Sequence, residues 1–243
     1  MGKKKEFGDG VLFTIFNYIW WFLLASFYFA LTNILFIFVW FITNANGGSI
    51  FNIVTVIALL PAGPALVALF SVMEKIVREK DIEFTKSFFK AYKDNFLEVL
   101  FYWTIFIGIL SISYADIIYI NSNVKNSSFA YILVSAKFIL LAVDVILIST
   151  AFYLFPIISR LYFKKKDAIK VAMYYAIKKL HITILNWFYL IGLAYVVINI
   201  SSPVFIFLFF SVLCYLIIIN EKSIIKGLVE KCEGFQENVI SVD

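Results

Sequence analysis

The sequence predicts an all-α polytopic membrane protein, and three observations support that class. First, the 243 residues are 63% hydrophobic and only 15% charged, with a mean hydropathy of +0.93. Soluble domains average roughly 45–50% apolar and about 25% charged residues. Second, the apolar residues form six runs that each approach the roughly 20 residues needed to cross a bilayer. Third, lysine and arginine are concentrated in alternate connections between those runs.

The six predicted spans form one membrane domain over residues 1–243. In chain order they cover residues 19–42, 50–70, 97–120, 129–154, 182–200 and 203–219. The last span is short, so it is expected to stand nearly upright in the bilayer. Residues 220–243 are predicted to form a cytoplasmic tail.

The distribution of positive charge predicts that both termini are cytoplasmic. Of the 21 lysines and arginines, 3 precede the first span, 6 lie between the second and third, 7 between the fourth and fifth, and 3 follow the sixth. Connections rich in lysine and arginine stay on the cytoplasmic side of a membrane. The net charge of +5 is therefore explained by topology, and no nucleic-acid partner is predicted.

Residue types that carry catalysis or hold metals are scarce. The two cysteines, Cys214 and Cys232, lack metal-ligand spacing, and His181 is the single histidine. Neither a metal cluster nor a nucleophile with its base is apparent in this set. We expect no metal, no cofactor and no enzymatic activity.

Two prolines and a glycine interrupt the second span. Pro61 and Pro64 each remove a backbone donor, and in lipid the freed carbonyls need partners within the protein. Gly63 lets a neighbouring helix approach closely. We interpret this stretch as a kinked helix at a packing seam, with Pro156 producing a similar kink in the fourth span. A broken helix that forms a binding site is the alternative.

The second-to-third connection predicts a short basic amphipathic helix over residues 83–96 on the cytoplasmic side. Its rings could lie in the acyl boundary of the membrane, pack on the bundle's own cytoplasmic ends, or dock a partner. Similar helices are predicted in "KKKDAIKVAMYYAIKKLH" and in the tail, where Gly234 is the expected C-cap. The aromatic face of the first consists of Phe84, Phe88, Phe89, Tyr92 and Phe96, and its basic face of Lys86, Lys90 and Lys93.

Three charged residues lie at membrane depth: Asp116, Lys137 and Asp144. Such residues are costly in a bilayer and mark candidate functional sites. The third and fourth spans are joined by a short loop, so Asp116 and Lys137 are expected to pair. Asp144 follows Lys137 by seven residues on the same helix face, so Lys137 could bridge both acids. The cluster is either a structural clamp or a transport site.

Asparagines within the spans are a second class of polar residue at depth. Asn33, Asn186 and Asn199 are predicted to form hydrogen bonds between helices, because an amide in lipid needs a partner from the protein. These bonds would hold particular helix pairs in register.

Two longer stretches are similar to a known family. "LLPAGPALVALFSVMEKIVREKDIEFTKSFFKAYKDNF" (residues 59–96) and "YLFPIISRLYFKKKDAIKVAMYYAI" (residues 153–177) resemble the YesL-type family, small bacterial membrane proteins that contain a domain of unknown function. The first loop, with "NANGGS", is longer here than in many members. The resemblance implies a six-helix bundle in the cell membrane of Gram-positive bacteria, with genes often beside those of carbohydrate ABC importers.

From the resemblance we expect a non-enzymatic accessory subunit of a carbohydrate ABC importer, or of a linked envelope process. Its partners would be the bilayer and the importer's permease subunits. The alternative is a small secondary transporter or channel that uses Asp144 and Lys137. The family has no established catalytic residues, so no residue role follows from the resemblance.

Overall fold

Helices account for nearly all of the described residues, and no strand occurs among them. The computed structural model describes residues 11–45, 53–79, 82–124, 129–161, 165–200 and 203–240. In chain order the helices are α1 (Val11–Thr32), α2 (Ile34–Ala45), α3 (Ile53–Ala58), α4 (Ala62–Arg78), α5 (Phe84–Asn123), α6 (Ala130–Arg160), α7 (Lys165–Lys178), α8 (Leu180–Ile200) and α9 (Pro203–Ile240).

Six stretches of the described residues are long and apolar enough to cross a membrane, which confirms the predicted class of multi-pass helical membrane protein. Helices α3 and α4 together form the second of these stretches, and α2 is a shorter apolar helix beside them. The stretches are Ile15–Thr32, Ile53–Arg78, Phe84–Asn123, Ala130–Arg160, Leu180–Ile200 and Val204–Lys231.

Helix α4 forms the centre of the bundle and packs against α1, α5, α6 and α9. Its large side chains, such as Leu69 and Met73, are fully buried. Its small residues, such as Ala65 and Ala68, let the neighbouring backbones approach closely, which is how membrane helices gain packing energy without a hydrophobic driving force. The other spanning helices surround α4 and expose most of their outer surface.

The end of α4, the start of α5 and the end of α6 meet at one end of the bundle. There Glu74 contacts Arg160, and Lys75 Nζ donates to Ser87 Oγ at 3.0 Å. We call this end the basic end.

The predicted first span is divided into two helices. Helix α1 ends at Thr32 and α2 begins at Ile34. At Asn33 between them, the side-chain Nδ2 donates to the Phe29 carbonyl at 2.8 Å. Such local side-chain bonds compete with the helical pattern and often bend helices. Asn33 therefore bonds its own helix, and the predicted interhelical bond is not formed.

The helix of the second span is broken at Pro61. Helix α3 ends at Ala58 and α4 begins at Ala62, so the predicted kinked helix is wrong in form. The Leu59 carbonyl in the break accepts hydrogen bonds from the Ala62 backbone N–H at 3.1 Å and from Trp103 Nε1 of α5 at 2.9 Å. A side chain of the neighbouring helix thus satisfies a carbonyl that the break exposes, as burial in an apolar medium requires.

Gly63 lies against the ring of Trp103. A Cβ atom at this position would lie 2.3 Å from Trp103 Cγ, well inside van der Waals contact. The close approach of a neighbouring helix that was predicted at Gly63 is therefore present, and the ring of Trp103 in α5 makes the contact. Pro156, in contrast, lies buried within a continuous α6, one turn before that helix ends at Arg160.

Two predicted cytoplasmic segments are continuous with spanning helices. Residues 83–96 do not form a separate helix, because α5 runs unbroken from Phe84 to Asn123. Residues 220–240 continue the helix of the sixth span, because α9 runs unbroken to Ile240. The helix passes through Gly234, so the C-cap predicted there is wrong. No proline or left-handed residue interrupts either helix, and side chains beyond the apolar run remain buried against the bundle. A separate α7 does connect α6 to α8.

Substitution of Gly63 by alanine tests the packing of α4 on Trp103. We expect Gly63→Ala to lower the free energy of unfolding by about 1–3 kcal/mol, because overpacking displaces the indole and weakens its bond to Leu59. Thermal unfolding of the purified protein in a mild detergent measures the change.

The matched control is Gly108→Ala in α5, where an added Cβ meets no atom within 4 Å. That variant is expected to keep the wild-type midpoint or to gain up to about 1 kcal/mol from the higher helix propensity of alanine. Equal midpoints for the two variants would contradict the role assigned to the Gly63–Trp103 contact.

Candidate functional site

Asp144 lies near the middle of α6, and its side chain is half-buried. Its Oδ2 accepts a hydrogen bond from Ser113 Oγ of α5 at 2.7 Å. Its Oδ1 is buried without a hydrogen-bond partner. A buried carboxylate oxygen without a donor is unfavourable, so this site can still accept a hydrogen bond or a cation.

Lys137 does not pair with either aspartate. Its Nζ donates to Asn121 Oδ1 at 2.9 Å, and no ion pair in the described part of the chain joins it to Asp116 or Asp144. The Ser113–Asp144 and Asn121–Lys137 contacts set the antiparallel register of α5 and α6. In that register Asp116 of α5 lies opposite residue 141 of α6, which is one helical turn along α6 from Lys137. The predicted ionic clamp is therefore not formed.

A cleft of about 370 Å³ separates α5 and α6 beside these charges. Asp116 lines it together with Tyr119, Ala136 and Leu140, and the Asp116 side chain is exposed. We call the mostly exposed surface formed by residues 113–121 of α5 and 136–144 of α6 the α5–α6 face. It contains all three charged residues predicted at membrane depth.

The α5–α6 face is covered far less than the centre of the bundle. Only 6% of the most apolar stretch of α6 is buried, against 56% for the stretch that contains α4. Large apolar side chains such as Ile118, Phe138 and Ile139 are exposed beside the charges. This surface therefore offers both apolar area and the exposed carboxylate of Asp116 to whatever surrounds it.

A charged cluster at the basic end joins α4 to α6. Glu74, nearly buried, accepts a hydrogen bond from Arg160 Nη1. Arg78 Nε lies 3.6 Å from the same carboxylate, and Arg78 Nη2 lies 2.8 Å from Glu79 Oε1. Sequence reasoning counted the two arginines only as topology signals and missed Glu74, because 86 positions separate it from Arg160.

A second buried polar network joins α8 to α9. Asn186 Nδ2 donates to Glu221 Oε1 at 2.7 Å, and Asn220 Nδ2 donates to Asn186 Oδ1 at 2.8 Å. Glu221 is 1% exposed. The interhelical bond predicted for Asn186 is confirmed, whereas Asn199 bonds the Tyr195 carbonyl of its own helix. Glu221 was missed because it follows the last apolar run and looked like a tail residue.

The aromatic face predicted for residues 83–96 points partly into the bundle. Phe84 and Phe88 are buried and surround Tyr28 of α1, with ring centroids 6.2 and 5.5 Å from it. Phe89 is 39% exposed, and Tyr92 and Phe96 are half-buried. The interpretation in which these rings pack on the bundle's own helices therefore holds for Phe84 and Phe88. The lysines Lys86, Lys90 and Lys93 are exposed.

Candidate metal ligands are dispersed in the structure. Within the described ranges, no three His, Cys, Asp or Glu side chains lie close enough to hold a metal ion. His181 is exposed at the start of α8, and Cys214 is buried in α9 as a free thiol. The side chain of Cys232 lies outside the described ones.

The Glu74–Arg160 contact can be tested by a double-mutant cycle. We expect Glu74→Gln to lower the free energy of unfolding by about 2–3 kcal/mol, because it leaves the half-buried Arg160 without its counter-ion. The double variant with Arg160→Gln should lose less than the two single variants together, with a coupling of at least about 1 kcal/mol. Thermal or denaturant unfolding in detergent measures all three.

The control cycle uses Glu83 and Lys86, whose side chains are 74% and 81% exposed at an N–O distance of 3.1 Å. Exposed pairs couple by less than about 1 kcal/mol. If the losses of unfolding free energy in the Glu74 and Arg160 single variants simply add up in the double variant, the contact does not stabilise the basic end.

Comparison with known proteins finds a family model that matches part of the chain. Residues 29–117 match the family model described as "Protein of unknown function, DUF624". Neither the curated proteins nor the solved structures that were searched contain a match. The matched residues include the break at Pro61, the aromatic face at the start of α5, and Asp116. Residues 29–117 are therefore similar to DUF624, a domain of unknown function, and this match is consistent with the resemblance to the YesL-type membrane proteins.

Proposed function

We propose that this chain is a non-enzymatic accessory subunit that packs against the helices of another membrane protein through the α5–α6 face. The observation that supports the proposal is the position of Asp116, Lys137 and Asp144 on a surface the chain itself leaves largely uncovered. A charged side chain at the bilayer centre costs roughly 3 kcal/mol or more, and such groups normally face a bundle interior or a water-filled cavity.

A partner helix on this face would lower that cost in two ways. It would remove the exposed Asp116 from lipid, and it would cover the half-buried side chain of Asp144, whose Oδ1 has no hydrogen-bond partner in the described structure. It would also fill the cleft of about 370 Å³ between α5 and α6. Helices in membranes associate through packing and interhelical hydrogen bonds of this kind.

The proposed partners are the permease subunits of a carbohydrate ABC importer in the cell membrane of a bacterium. Support for this identity comes from the resemblance to the YesL-type family, whose genes often lie beside those of such importers. We further propose that the basic end and both termini face the cytoplasm, because 19 of the 21 lysines and arginines lie in the termini and in alternate connections.

Affinity purification of the tagged chain in a mild detergent, at native expression, tests the proposal. Wild-type protein is expected to recover the importer's permease subunits in stoichiometric amounts, as read by mass spectrometry. Ala136→Trp should abolish that recovery, because Ala136 lines the cleft and an indole there would occupy the space of the partner helix.

Ala194→Trp in α8 is the matched control. Ala194 is half-buried like Ala136 and lies the same six residues from the end of its helix. It should keep the recovery, and both variants should keep the wild-type thermal midpoint. Recovery of wild-type protein alone, as a monomer or a homo-oligomer, would contradict the accessory role.

A small secondary transporter or channel is the second candidate function, and the unsatisfied oxygen of Asp144 favours it. This carboxylate lies near the middle of α6, one turn from Leu140 in the wall of the cleft, and a proton or a cation could bind there. Lys137 is held by Asn121 two turns away, so it does not neutralise Asp144. Carboxylates in such positions serve proton and ion pathways in carriers.

Asp144→Asn separates the two functions. If the chain is a carrier, protein reconstituted in liposomes should show solute-dependent currents or proton uptake, and Asp144→Asn should reduce them to the level of empty liposomes. Asp167→Asn, in an exposed ion pair of α7, is the control and should retain the flux. Equal flux in wild-type and Asp144→Asn liposomes would eliminate this candidate.

A further inference from the structure

A second cavity, of about 290 Å³, lies at the basic end between α4, α6 and α9. Four cationic side chains from these three helices line it: Arg78, Arg160, Lys222 and Lys226. Glu74 is the one acidic residue in the lining. Four positive charges and one negative charge give the lining a formal charge of +3.

The positive charge of this cavity is only partly neutralised by the protein. The carboxylate of Glu74 is already shared by Arg160 and Arg78. Lys226 Nζ lies 3.8 Å from Glu230, and Lys222 has no ion pair among the described residues. Even with Glu79 and Glu230 counted, the cluster keeps a charge of +1, and its exposed lysines are available to an anion.

The cavity lies where the apolar stretches end. Arg78 and Arg160 are the last residues of α4 and α6, which is the depth of lipid headgroups if these helices span the bilayer. The rest of its wall is apolar and includes Ile218 and Ile225 of α9. A ligand that fits must therefore combine a negative charge with an apolar portion, or else be a small anion that uses the cations alone.

We propose that this cavity binds a phosphate group, and that its occupant is the headgroup of an anionic phospholipid. Guanidinium groups carry planar N–H donors that match phosphate oxygens, and lysines add mobile point charges. Arg78 already directs Nε and Nη2 at Glu74 and Glu79, so the phosphate would be bound mainly by Arg160 and the two lysines. Basic pockets between membrane helices at the headgroup level are suited to anionic lipids. Glu74 acts as a positioning residue, because it holds Arg160 and Arg78 at the mouth of the cavity.

Titration of the full-length protein in a non-ionic detergent tests this site. The probes are a short-chain phosphatidylglycerol, the corresponding phosphatidylcholine and, separately, inorganic phosphate. Native mass spectrometry measures bound lipid, and the thermal midpoint measures stabilisation by phosphate. We expect phosphatidylglycerol to bind about tenfold more tightly than phosphatidylcholine, since attraction to anionic headgroups grows with each lysine or arginine at the surface.

The test variant is Lys222→Gln with Lys226→Gln, which removes two cations from the cavity and leaves the Glu74 contacts intact. It should lose the preference for phosphatidylglycerol. The control is Lys90→Gln with Lys170→Gln, two lysines outside the cavity lining. Lys90 has no ion pair among the described residues, and Lys170 Nζ lies 3.9 Å from Asp167 Oδ1. The control should bind like wild-type protein.

Two patterns would support the site and identify the source of the phosphate. A preference for phosphatidylglycerol that only the test variant loses would identify a lipid. The second pattern is equal binding of both lipids together with a thermal midpoint that inorganic phosphate raises in the wild-type and control proteins but not in the test variant. That pattern would identify a soluble phosphate. Equal lipid binding without a phosphate effect, or equal loss in both double variants, would overturn the proposal.

Discussion

The contact between Trp103 and the break in the second span is the constraint on which the rest of the bundle depends. The central helix α4 follows directly after the break at residues 59–61, and the backbone carbonyls in that break need hydrogen-bond donors in an apolar medium. The indole N–H of Trp103 donates to the Leu59 carbonyl, and its ring occupies the space that Gly63 leaves without a side chain. This contact fixes α5 against α4, and α4 in turn contacts α1, α6 and α9.

The two ends of the molecule are packed very differently, and the difference bears on function. At the basic end, Glu74 joins α4 to α6, and the Asn186–Glu221 bond joins α8 to α9. Toward the other end, α5 and α6 are held to each other by few polar contacts, such as Ser113–Asp144 and Lys137–Asn121. A well-held basic end and an uncovered α5–α6 face are the arrangement expected of a subunit that is completed by other membrane helices.

Charged residues have two distinct roles in this chain. Those at the basic end, Glu74, Arg78 and Arg160, lie where the apolar stretches end, so their hydration is only partly lost and the Glu74–Arg160 pair can stabilise the bundle. Asp144 lies near the middle of α6, and among the described residues only the hydroxyl of Ser113 donates to it. The first group shapes a cationic cavity for a phosphate, and the second marks the surface where a partner or a transported ion would bind.

The sequence by itself determined the all-α class, the six apolar stretches and the presence of an irregularity at the prolines, because hydropathy and backbone chemistry are local properties of the chain. Whether that irregularity was a kink or a break was left to the structure. It also identified Asp116, Lys137 and Asp144 as unusual at their depth, and Asn186 as an interhelical donor. Local pattern could not reveal that α5 and α9 are unbroken from Phe84 to Asn123 and from Pro203 to Ile240, since a charged extension of a helix and a separate segment have similar composition.

Only the tertiary structure decided which distant residues meet. The pairing of Glu74 with Arg160 depends on how α4 packs on α6, and each residue alone looks like an ordinary charge at the end of a span. The separation of Lys137 from both aspartates depends on the α5–α6 register, which places Asn121 within reach of its amino group. Register is set by side-chain packing along whole helices, so residue spacing within one helix cannot predict it.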